Sequence, residues 1–73
     1  MIPDLVIDPV RAVMLEDLRN AFFSTSLIVN DHSDLVLLVC HPRQGHGENL
    51  PDLEGQGTSA RDAIESAWLK WRK

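Results

Sequence analysis

Cys40, His41, His46 and Glu48 fall within one short stretch and are of the types that ligate zinc, a metal that would steady a small fold. Their spacing argues against a closed site. A structural zinc usually draws on two pairs of ligands at short fixed intervals, and Cys40 is the single cysteine of the chain. It reads instead as a strand-end residue packed in a core. A nucleophilic pairing of Cys40 with His41 meets a different obstacle, since neighbouring residues of a strand point to opposite faces. Ser33 stands with Asp31, His32 and Asp34 in what reads as a hairpin turn, where no pocket would desolvate an acid or a base. The Gly45-His46-Gly47 and Gly55-Gln56-Gly57 pieces lack the flanking strand and Lys of a phosphate loop and read as flexible loop. The expectation is therefore a chain with no enzymatic activity, no metal and no cofactor.

Binding is the remaining trade, and charge narrows the partner. The net charge is −4, from 7 Lys and Arg against 11 Asp and Glu, and Lys70, Arg72 and Lys73 are gathered at the end. Nucleic-acid binding takes most of its affinity from clustered Lys and Arg on phosphates, so an acidic body argues against a duplex-binding face. It suits a basic protein surface. Trp68 and Trp71, with Lys70 and Arg72, could stack on bases or form an interface hot spot; Trp68 lies on an apolar helical stripe and is expected in the core. Direct nucleic-acid binding ranks last.

The elements that would position these residues read as a single α+β domain over 1–73, with an arm at 1–8. Asp8 as N-cap and Pro9 at the first helical position open a helix over 9–23, with Val10, Met14, Leu18, Ala21 and Phe22 as its apolar stripe. Ser26 to Val29 and Leu35 to Cys40 are short runs rich in β-branched residues around a polar turn, an antiparallel hairpin over 26–40. The second run is apolar at every position, which implies cover on both faces. The stretch 41–57, dotted with glycine and proline, reads as a long loop. Thr58 or Ser59 then caps a helix over 58–72 whose Ala60, Ala63, Ile64, Ala67, Trp68 and Trp71 share one face. The arm, with Leu5, Val6 and Ile7, can close an edge of this sheet as an extra strand or offer itself to a partner.

Size and composition complete the frame. At 73 residues one core supplies roughly 3–5 kcal/mol, while 44% hydrophobic and 25% charged residues are ordinary for a folded domain. One cysteine allows no internal disulfide, which points to a reducing compartment. With no basic n-region and no apolar run approaching the roughly 20 residues of a membrane helix, the expected location is the cytoplasm.

Two resemblances add to this reading. The stretch Leu50-Pro51-Asp52-Leu53-Glu54-Gly55-Gln56-Gly57-Thr58-Ser59, followed by Ala63-Ile64-Glu65-Ser66-Ala67, resembles the segment of HicB-type antitoxin domains that leads from a strand end through a Gly-Thr turn into a helix. That likeness implies a module that neutralises a small toxin. Over the whole chain, the length, acidic balance and single-domain layout are similar to the small RNA-polymerase-binding transcription regulators of lytic Xanthomonas phage. This second resemblance implies a protein that acts in the host cell and binds bacterial RNA polymerase at the β′ amino-terminal region, with the β flap as a further contact. It would inhibit host initiation by interfering with σ, and antitermination would be a further activity. Leu5, Val6 and Ile7 are then expected as the arm that pairs with the partner, and Arg11 and Arg43 as rim charges.

Overall fold

The computed structural model describes residues 5–30, 32–43 and 50–72. Its elements are α1 (Pro9–Ala21), β1 (Ser24–Asn30), β2 (Leu35–His41), β3 (Leu53–Gly57) and α2 (Ala60–Arg72). The α+β class read from the sequence holds, with three antiparallel strands where two were certain.

Local chemistry sets the limits of α1. Asp8 adopts an extended backbone, its carboxylate accepts from the Arg11 N–H at 2.8 Å, and Pro9 follows at the first turn, where a missing N–H costs nothing. Phe22 is extended and its N–H donates to the Leu18 carbonyl, so the helix ends at Ala21, short of the expected Phe23. Phe23 belongs to the turn, and its N–H donates to the His41 carbonyl at 2.8 Å. The inner line of α1 is Met14, Leu15 and Leu18, continued by Phe22 just past its end. Val10, assigned to that line by its spacing, is 56% exposed, and Ala21 is exposed too.

The hairpin forms as expected and runs slightly longer, from Ser24 to His41. Its turn is tightened by the Asn30 side chain, which accepts from the His32 N–H at 3.0 Å, and by Asp34 at φ 53, a left-handed conformation that Asp tolerates better than most residues. Residues 53–57 of the expected loop form β3, which pairs with β2 from Val36↔Gly57 to Cys40↔Leu53. The third strand thus comes from this segment; residues 5–8 form no strand, and residues 1–4 of the expected arm lie outside the described residues.

The glycines of β3 explain both its unlikely composition and its place. A Cβ at Gly55 would run into the backbone of Ala63 and Ala67, and one at Gly57 into Asp62. Ala60, Ala63 and Ala67 are fully buried, so α2 lies on β3 at a distance only glycine facing alanine allows. Ser59 caps this helix: its hydroxyl accepts from the Asp62 N–H at 3.2 Å.

The core lies between the two helices and one face of the sheet. Leu18 from α1, Val36, Leu38 and Cys40 from β2, and Ala63, Ile64 and Ala67 from α2 form its buried centre. The register places Thr25, Leu27 and Val29 of β1 on this same face. Both helices contribute to this one core, whereas the apolar run of β2 implied cover on both faces. On the other face Val39 is buried, but Leu35 and Ile28 are exposed.

Candidate protein-interaction surface

Residues that could do chemistry are kept apart by the pleat of β2. Cys40 faces the core, fully buried, and burial pushes its thiol pKa up, which keeps it protonated and unreactive. His41 points away, and its Nδ1 stands 3.1 Å from an Asp52 carboxylate oxygen. Among the described residues no three His, Cys, Asp or Glu side chains gather closely enough to hold a metal ion; His46 and Glu48 lie outside the described residues. His32, Ser33 and Asp34 are exposed on the hairpin turn, and Asp31 lies outside the described residues.

Of the expected binding residues, Leu5, Val6 and Ile7 are exposed just before the Asp8 cap. Arg43 is exposed just past the end of β2. Arg11 is engaged within the chain: its guanidinium donates to Glu65 of α2 at 2.5 Å and approaches the Asp8 carboxylate at 3.5 Å. The hydrogen bond to Glu65 is the main cause that raises its pKa. Arg11 therefore ties the start of α1 to α2 and brings no uncompensated charge to a rim.

At the opposite end of the helices, Trp71 meets Phe22 edge to face, ring centres 6.4 Å apart. Arg72 lies over both tryptophans, 5.3 Å from the Trp68 ring centre and 5.9 Å from that of Trp71, which occupies the faces a base would need. Both rings pack against the core. Lys70 donates to the Glu54 carbonyl of β3 at 2.9 Å, so the basic end of α2 is largely turned to internal contacts.

Sequence reading missed the apolar surface along α1 and β1. Val10 and Val13, 56% and 63% exposed, continue the arm residues along the outer side of α1. Phe23 is the most exposed large apolar residue among the described residues, at 73%, and lines an open cleft of about 280 Å³ with Arg19, Ser24 and Thr25. Leu27 and Ile28, on opposite faces of β1, are 40% and 49% exposed. One signal was available: α1 carries more apolar residues than one side of so short a helix can bury, so some must face out. Such surface on a small acidic domain is suited to holding another macromolecule by apolar contact.

Comparison with protein-family models, with curated proteins and with solved structures found no match. Among the described residues no helix is long and apolar enough to cross a membrane.

Proposed function

We propose that this chain is a regulator that works by docking on another protein, and that its target is bacterial RNA polymerase. The observation that carries the docking mode is the exposed series Leu5, Val6, Ile7, Val10 and Val13 along one end of the molecule. Asp8, Glu16 and Asp17 stand beside it, and Arg11 is already matched by Glu65 and Asp8. An apolar patch with an acidic border suits an apolar groove with a basic border. Polymerase surfaces, which handle nucleic acid, are rich in basic residues.

The resemblance of the whole chain to phage transcription regulators supplies the name of the target. On that reading the β′ amino-terminal region is the main contact and the β flap a second, σ is hindered at initiation, antitermination is a further activity, and the site of action is the host cytoplasm. Capture tests it. Tagged protein is expected to draw β and β′ from a bacterial lysate, and Val13→Asp to weaken that capture about tenfold or more while remaining folded. A lysate that yields neither subunit sinks the proposal.

One observation favours a second reading. Pro51 and Asp52 lead into β3, and Gly57, Thr58 and Ser59 turn directly from β3 into α2, the order in which HicB-type antitoxin domains use such residues. On that reading the partner is a small toxin encoded beside this chain. Co-expression with the neighbouring gene product would then relieve toxicity and yield a stable complex, and a neighbour that is harmless alone removes the reading.

A further inference from the structure

The two edges of the sheet are treated differently. At β3 the edge is short, carries Glu54, and has the Glu54 carbonyl taken by Lys70; charge, brevity and cover are the usual devices that stop a strand from pairing further. At β1, the opposite edge, none of these is present. Ser24-Thr25-Ser26-Leu27-Ile28-Val29-Asn30 contains no charge, no proline and no glycine, and it pairs with β2 along all seven residues without a bulge.

From this we infer that β1 pairs antiparallel with β1 of a second copy, about a two-fold axis through Leu27, to make a six-stranded sheet. Self-complementarity singles out a second copy as the occupant. Antiparallel pairing centred on Leu27 sets Ser24 opposite Asn30, Thr25 opposite Val29, Ser26 opposite Ile28, and Leu27 opposite itself, so polar ends meet polar ends, the β-branched Thr25 and Val29 meet, Leu27 meets Leu27, and the small Ser26 leaves room for Ile28. The half-exposed Leu27 and Ile28 are both covered by that arrangement.

Charge points the same way. Arg19 lines an open cleft with Phe23, Ser24 and Thr25 near the start of β1, and Asp34 lies in the turn beyond its end. The two-fold brings the start of one strand to the end of the other, so Arg19 of each copy approaches the Asp34 turn of its mate. Neither residue has an ion-pair partner among the described residues. The strand edge used shares no residue with the Leu5 to Val13 patch.

Sedimentation of the wild-type chain across a concentration series is expected to show the mass rising to that of two copies, and a monomer persisting to near-millimolar concentration overturns the inference. Position is tested by cysteine substitution, since Cys40 is buried and silent. Leu27→Cys is expected to form a covalent dimer under mild oxidation, its Cβ atoms facing each other at about 4.5–5.5 Å. Thr25→Cys is expected not to, because its two copies are displaced by four residues, about 13 Å. Cross-linking at both positions or at neither overturns the two-fold. Leu27→Lys and Leu27→Glu should each weaken dimerisation about tenfold or more, and mixing them should restore it as a heterodimer; failure of the mixture to associate counts against Leu27 on the axis.

Discussion

The side of the molecule where α2 meets β3 and the side formed by β1 and the outer surface of α1 are built on opposite plans. In the first, Gly55 and Gly57 face Ala60, Ala63 and Ala67, and backbones touch with almost no side chain between them. In the second, large apolar side chains such as Val13, Phe23, Leu27 and Ile28 stand partly in water. The contrast shows how a chain of this size divides its apolar residues. Close contact of small residues on one side holds the fold, and that leaves larger ones elsewhere partly exposed.

The sharpest way to break that division is Gly55→Val. Its side chain has no space against the backbone of α2, and overpacking of about 3 kcal/mol or more would consume most of the roughly 3–5 kcal/mol that holds so small a domain. Circular dichroism is expected to show an unfolded chain; a folded variant would mean that the seam has slack. Leu18→Ala comes next, at about 2–5 kcal/mol, because it empties the centre of the core, and urea titration measures it. Ser59→Ala removes the hydroxyl that caps α2 and should cost about 1 kcal/mol, read by the same titration.

Smaller still is a pH effect at Cys40. Burial raises its folded pKa above that of the unfolded thiol, so the folded state keeps the proton longer. The contribution is fully present below the unfolded value of about 8.5, and falls away as pH rises from there toward the folded pKa. Stability is therefore expected to decline above about pH 8.5, and Cys40→Ala to lose that part of the decline. At the bottom of the scale, Val10→Asp on the open side should alter stability by less than about 0.5 kcal/mol, a negative charge near a helix N-terminus being favourable. A larger loss would mean that this side also holds the fold.

The same contrast explains what could be read from the residues. The hairpin and both helices were legible because β-branched runs, caps and helical spacing are local signals, and Asp8, Pro9 and Ser59 act where they were expected to act. Leu53 to Gly57 was not legible as a strand. It has two glycines and no β-branched residue, and its reason to be extended is the closeness of α2, a tertiary fact. The inner line of α1 was misplaced at Val10 and Ala21 for a related reason: spacing gives the period of a stripe, but the neighbours decide which part of it is covered. Of the expected binding residues, Leu5, Val6, Ile7 and Arg43 are exposed. Arg11 could not be told from a rim charge, since its match, Glu65, lies 54 positions away.

That same span governs how the protein emerges from the ribosome. Synthesis at about 5–20 residues per second puts several seconds between the appearance of α1 and that of α2. Throughout that interval Met14, Leu15, Leu18 and Phe22 have the hairpin on hand but not Ile64 or Trp71, so the nascent chain carries an unfinished oily ridge. A message cut short after Gly57 would yield a product with that ridge permanently bare, a substrate for chaperones and proteases and not a smaller version of the folded domain.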